Sequence, residues 1–269
     1  MHNNTEPFSK KSFAKLSTKG LSRKTLTDEL QDEIDVSLEI IKSQGLNIIK
    51  HQGRYFFDTK FIPIDEATFC IVDIETNGSN PEKHQIIEIA ALKVKNKKII
   101  DKFESFVKTD EINEHITKIT GIKASDTSDA PELKDVLKEF KLFLQDAIFV
   151  AHDAKFDLNY ISKSMQKVSL EPLLNRTLCS LALAERTISS YRYALSYLNT
   201  MFNLYEDATH HRAMSDVITT YKLFLLSLKN IQDEIVYVED LIHFSKHAPR
   251  LKRIKFDPLL STQKETEKT

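Results

Sequence analysis

The chain has 269 residues, 41 % of them hydrophobic and 29 % charged, enough apolar material for a real core and too much for a disordered protein. Its two cysteines, Cys70 and Cys179, lack a CxxC spacing, which argues against a disulfide framework or a zinc site and leaves both as small core residues. The net charge of −1 hides an uneven distribution, with +5 over residues 1–27, +4 over residues 245–269 and −10 between them.

Basic ends around an acidic middle fit a protein whose ends meet phosphate while its centre holds metal, with solvated surface charge the alternative for either end alone. No run approaches the roughly 18 apolar residues of a spanning helix, and residues 1–19 are polar and basic without an apolar signal region. A cytoplasmic protein with no membrane partner is the expectation.

Residues 1–21 show no convincing period. Leu30, Ile34, Leu38 and Ile41 recur at helical spacing and predict one helix over 23–43, ended by Gly45. Two short apolar runs around Gln52-Gly53 read as a hairpin over 46–57. Helix plus hairpin in a basic setting resembles a winged-helix module in outline, and a small docking subdomain is the alternative. Pro63 with Asp65-Glu66 marks a boundary.

Strands are expected at 69–75, 85–94 and 99–107, joined as an antiparallel meander. A loop-rich stretch over 110–130 contains Ile119-Thr120-Gly121-Ile122. Pro131 is expected to open a helix carrying Leu133, Val136, Leu137, Phe140 and Leu144, followed by a buried strand at 147–151. Asp157 falls in the first turn of the next helix, where free N–H groups favour a carboxylate. A strand over 173–178 and helices near 179–187 and 194–202 come next. Thr209-His210-His211-Arg212-Ala213-Met214-Ser215-Asp216 leads into a further helix. After residue 230 comes an amphipathic piece, then a basic stretch over 246–255, the short apolar patch Phe256-Asp257-Pro258-Leu259-Leu260, and final residues expected to be disordered.

The stretch Ile71-Val72-Asp73-Ile74-Glu75-Thr76-Asn77-Gly78 organises the chain. Successive side chains of a strand alternate faces, so Asp73 and Glu75 point the same way, roughly 6 to 7 Å apart. Two acids at that distance favour a cation, and a pair without Cys or His suits Mg²⁺ or Mn²⁺ better than zinc.

Asp73-Ile74-Glu75, Asp157, and His211 with Asp216 together resemble the three motifs of the DEDDh family of 3′→5′ exonucleases, the family of the proofreading epsilon subunit of bacterial replicative DNA polymerase. The resemblance covers about residues 67–230. Phe156-Asp157 matches the ending of the second motif, and Ile119-Thr120-Gly121-Ile122 resembles the substrate loop. Asp153 stands where the family usually has Asn, and Asn77 where it commonly has Thr, with Gly78 retained for the turn.

The resemblance implies a ribonuclease H-like α/β fold, a mixed five-stranded sheet flanked by helices. The expected organisation is a basic helix-and-hairpin segment at 1–66, the exonuclease domain at 67–230, and an amphipathic helix with a basic flexible tail at 231–269. It further implies two Mg²⁺ ions, with Mn²⁺ able to substitute. Asp73 would touch both ions, Glu75 and Asp216 would complete one shell, and Asp157 would support the other directly or through water.

By the same resemblance His211 is the general base, a role that suits a residue type whose unperturbed imidazole can accept a proton at neutral pH, with His210 the competing candidate. Five residues apart on a helix, His211 and Asp216 would lie about 140° apart, so both face one site only if His211 precedes the helix. Thr76, Ile119, Thr120 and Phe156 would touch the substrate. The implied activity is hydrolysis at single-stranded or frayed 3′ ends, of DNA first, in proofreading or repair beside a replicative polymerase subunit or clamp. An RNA-trimming exonuclease of the same fold and a non-catalytic polymerase-associated adaptor are the alternatives.

Overall fold

The computed structural model describes residues 7–31 and 33–260. The expected disorder of the last residues falls on 261–269, outside the described residues. At the N-terminal end are three helices, α1 (Lys10–Leu16), α2 (Arg23–Leu30) and α3 (Ile34–Ser43), then the hairpin β1 (Ile48–His51) and β2 (Arg54–Phe57). Two expectations are corrected. Helix α1 is missing from the sequence reading because seven residues are too few to show a period; Ser9 caps it by accepting from the Ser12 N–H at 3.3 Å. The single helix over 23–43 breaks at Gln31, whose φ of 55° takes it out of the helical region. The hairpin forms as expected, with Gln52 and Gly53 both at positive φ as a two-residue turn of this hand requires. Leu16, Leu26, Ile41, Leu46 and Phe57 close a small core of their own.

The main sheet contains β3 (Thr68–Thr76), β4 (Ile86–Lys95), β5 (Lys98–Phe106), β6 (Ile148–Ala151) and β7 (Thr177–Cys179), in the order β5-β4-β3-β6-β7. The first three form the expected antiparallel meander, and β6 and β7 add in parallel. A mixed five-stranded sheet is thus what the chain builds.

Alternation along β3 sends Cys70, Val72 and Ile74 to one face and Phe69 and Ile71 to the other. Between β5 and β7 lie α4 (Glu114–Thr120), α5 (Ala124–Thr127), α6 (Leu133–Leu144) and α7 (Ala154–Lys167). Phe140 of α6 with Tyr160 and Ile161 of α7 cover the Cys70 face. Beyond β7 come α8 (Ser180–Thr187), α9 (Leu195–Phe202), α10 (Ala213–Lys229) and α11 (Val238–His247). Val217 and Phe224 of α10, with Leu241 and Ile242 of α11, cover the opposite face. Burying both faces makes the sheet a rigid platform.

The stretch expected to be loop contains α4 and α5. Asn113 caps α4 by accepting from the Ile116 N–H at 3.0 Å, and Gly121 at φ 73° ends it, signals present in the sequence but attached to a single seven-residue helix. Pro131 does not start α6. Glu132 is the N-cap, and the Pro131 carbonyl instead accepts from the Lys108 N–H. In the strand expected over 173–178 residue pairing begins at Thr177; upstream the Leu174 N–H turns away from β6 and donates to the Gln44 carbonyl at 2.8 Å.

After α11 the basic stretch runs back along the domain. Leu251 N–H donates to the Glu185 carbonyl, Arg250 pairs with Glu185 at 3.0 Å, and the Tyr197 hydroxyl donates to Asp257 at 2.7 Å. Phe256 is left 83 % exposed. Among the described residues no helix is long and apolar enough to cross a membrane.

Candidate active site

Four carboxylates from three separated segments meet at one end of the sheet. Asp73 and Glu75 sit near the end of β3, Asp157 in the first turn of α7, and Asp216 in the first turn of α10. Asp157 and Asp216 are buried. Backbone N–H groups, that of Ile74 on β3 among them, act on the Asp157 carboxyl to lower its pKa.

His211 lies on the loop before α10, with φ 62°, and its N–H donates to Asp216 Oδ2 at 3.0 Å. The geometric condition for His211 and Asp216 to share a site is met. Ligand atoms of Glu75, His211 and Asp216 all lie within 4.8 Å of one another. His210 is also close, its Nδ1 3.5 Å from Asp216 Oδ1.

Packing these acids together has an electrostatic cost. Burial first, then the charges of Asp157, Asp216, Glu75 and Glu88, push the Asp73 carboxyl well above the usual range. Glu75 rises to about 8, through burial and then Asp216 and Glu88, with Arg212 opposing. Asp157 also rises to about 8, chiefly through burial, helped by Asp153 and opposed by backbone N–H groups. A crowded set of oxygen donors joined by one imidazole is the chemistry of a hard divalent cation site. These residues fit such an ion.

The remaining site candidates separate into two kinds. Ile119 and Phe156 are each 41 % exposed and available to a ligand. Thr76 is half-buried at a register shift in the β3–β4 ladder, close to Gly78, whose carbonyl accepts from the Tyr160 hydroxyl at 2.9 Å. Thr120 is buried, its hydroxyl donating to the Ile116 carbonyl and accepting from the Ile122 N–H; its side chain shapes the Gly121 turn.

Asp153 occupies a left-handed position, φ 84°, at the start of α7, which Asn and Asp tolerate better than other non-glycine residues. Gly78 is corrected in its reason: its φ is ordinary, but a Cβ there would lie 2.5 Å from the His84 ring. Close approach, not a turn, requires glycine. His152 has both ring nitrogens engaged, with Ser180 Oγ at 3.0 Å and the Tyr193 carbonyl at 2.9 Å, and burial lowers its pKa. It anchors the turn that carries Asp153.

Sequence reasoning missed Glu88 and Arg212. Glu88, 1 % exposed, stands opposite Glu75 across the β3–β4 ladder and binds Arg212 Nη2 at 2.9 Å, Arg212 Nε at 3.3 Å and the Ala213 N–H at 3.0 Å. The pair fixes the loop bearing His211 to the sheet. A lone acid inside the apolar run Ile86-Ile87-Glu88-Ile89-Ala90 was the available signal, since a buried carboxylate demands a partner.

Fold and site together define a nuclease of the ribonuclease H-like class. The exonuclease family pattern matches residues 70–224, so the chain belongs to the exonuclease family, and within it resembles the DEDD-type members such as epsilon. It is 37 % identical over 172 residues to a PolC-type DNA polymerase III of Staphylococcus haemolyticus, covering 63 % of this chain and 12 % of that protein. It is 35 % identical over 207 residues to the PolC-type DNA polymerase III of Caldanaerobacter subterraneus, covering 73 % and 15 %. The chain thus spans less than a sixth of the length of these relatives. Among solved structures, it is similar in fold to Exonuclease X in complex with 5′ overhanging duplex DNA, with TM-score 0.50, 24 % identity, and coverage of 65 % of this chain and 99 % of that one. It is also similar to E. coli Exonuclease I in complex with a dA16 oligonucleotide, with TM-score 0.57, 17 % identity, and coverage of 66 % and 43 %.

Proposed function

We propose that the protein removes nucleotides from single-stranded or frayed 3′ ends of DNA in a reaction that requires Mg²⁺, with Mn²⁺ able to replace it. The observation that carries this reading is the convergence of Asp73, Glu75, Asp157 and Asp216 with His211 at one end of the sheet. Asp73, Glu75, Asp157 and Asp216 would hold the divalent ions, which would supply charge neutralisation at the scissile phosphate and a more acidic attacking water.

His211 takes the proton from the water. Its exposed ring, on a loop tethered through the backbone to Asp216, reaches the solvent side of the cluster. Phe156 and Ile119 offer exposed apolar surface against which the terminal bases stack. Thr76 lines the strand end, and Thr120 acts by shaping the loop that carries Ile119. The likeness to PolC-type polymerases, together with the epsilon-like motifs, supports a proofreading or repair role beside a replicative polymerase subunit or clamp, in the cytoplasm.

The test is a 5′-labelled single strand, as DNA and as RNA, incubated with the protein and Mg²⁺. A ladder shortening from the 3′ end, stopped by a 3′ phosphorothioate linkage and faster on DNA, is the expected result. Faster RNA trimming would move the protein to RNA processing, and release of the 5′ label as a mononucleotide before any ladder forms would reverse the polarity.

A further inference from the structure

Lysines of the N-terminal end meet Lys246, the first of the C-terminal basic stretch. Helix α1 with the turn after it, the 3₁₀ turn following β2, the start of β7 and helix α11 enclose a cleft of about 520 Å³. Lys10 and Lys19 come from the N-terminal end, Lys60 from the 3₁₀ turn and Lys246 from α11. None of these four lysines forms an ion pair among the described residues.

Arg176 forms the floor. Its guanidinium lies over the Phe13 and Phe57 rings at 4.9 and 4.4 Å, and Nε and Nη2 are bound by Glu239. Glu239 is therefore already neutralised within the floor, and Asp240 is the other acid lining the cleft. Four lysines gathered from three segments, with Asp240 as the other acid in the lining, give the cleft wall an excess of positive charge that suits an anion.

The cleft is not an extension of the acid cluster. Arg176 immediately precedes β7, and its carbonyl accepts from the Phe149 N–H near the start of β6. The acids lie beyond the other end of these parallel strands, where β6 leads through His152 to Asp157. Flexible ammonium groups suit a phosphate ligand, because lysines satisfy phosphate oxygens as point charges without fixed geometry.

We propose that this cleft is a second, non-catalytic anion site that binds the phosphate groups of a nucleic-acid strand or of a free nucleotide. The shared chemistry is the phosphate ester, and the two sources give different readouts.

The experiment uses the full chain carrying Asp73→Asn, in EDTA, so that no probe is degraded. Binding of a labelled oligothymidylate and of dAMP is measured with and without the added pair Lys19→Glu and Lys60→Glu. A control pair, Lys138→Glu and Lys141→Glu, changes the same charge on α6, away from the cleft. The cleft pair is expected to weaken binding on the order of tenfold and to flatten its salt dependence, with the control pair nearly silent. Loss confined to the oligonucleotide identifies the strand as the source, and loss confined to dAMP identifies the nucleotide. Affinities unchanged for both probes, or lowered equally by the control pair, would overturn the proposal. Should the charge reversal disturb folding, Lys19→Gln with Lys60→Gln reads the same comparison, since neither lysine side chain has an ion pair to lose among the described residues.

Discussion

Glu75 and Glu88 face each other across the β3–β4 ladder, yet they have opposite fates: Glu88 is bound by Arg212 and by the Ala213 N–H, while Glu75 is left among other acids. One carboxylate of the pair holds a loop, and the other is free for a cation. Glu88→Gln should therefore loosen the segment bearing His211. A buried charge pair broken on one side costs about 3–5 kcal/mol, but the Arg212 side chain is 39 % exposed and can turn to water. The expected loss is at the low end, about 1–2 kcal/mol, with kcat lowered more than KM. Denaturant unfolding and steady-state kinetics check both.

The acid cluster makes the metal-free protein sensitive to pH. In the unfolded chain these carboxyls titrate near 4, whereas Glu75 and Asp157 rise to about 8 in the fold and Asp73 rises as well. Between those values the folded state holds more protons than the unfolded one, so stability falls as pH rises from about 4 to about 8. Saturating Mg²⁺ should raise Tm most at the alkaline end of this window, and EDTA should reverse the gain. Asp73→Asn should leave the metal-free protein as stable as the parent or more so, since it removes repulsion at a site built for function. Thermal melts across pH, with and without metal, measure the effect.

His211→Ala should lower turnover by around 10² to 10⁴, with metal and DNA binding largely intact. His210→Ala should cost far less, although His210 lies 3.5 Å from Asp216. Single-turnover rates of the two variants decide between them. Activity lost in the His210 variant and kept in the His211 variant would reverse the assignment.

Asp153 predicts a split between two substitutions. Asp153→Asn keeps a residue that tolerates φ 84° and removes a charge that raises the Asp157 carboxyl, so stability should hold. Asp153→Ala puts a methyl side chain in the left-handed region and should cost about 1–2 kcal/mol. Urea midpoints of the two variants measure the difference.

The sheet and the cluster were legible because each rests on a local pattern: apolar strands ending in Asp73 and Glu75, a first-turn Asp157, and His211 five residues ahead of Asp216. What stayed hidden depended on distance or shortness. Glu88 and Arg212 are 124 residues apart, and nothing in either segment names the other. Helices α1 and α4 are each seven residues long, too short for periodicity to outweigh their polar faces. Gly78 was noticed for the wrong reason, because contact with His84 exists only in the folded chain. The meeting of Lys246 with the N-terminal lysines likewise required the path of α11 across the start of β7.

The most direct test compares nucleotide release from a 5′-labelled DNA strand by the parent protein in Mg²⁺, the parent in EDTA, and Asp73→Asn in Mg²⁺. The acid-cluster account predicts release in the first reaction alone, with DNA binding retained in all three. Undiminished release in EDTA, or by a folded Asp73→Asn protein, would contradict it.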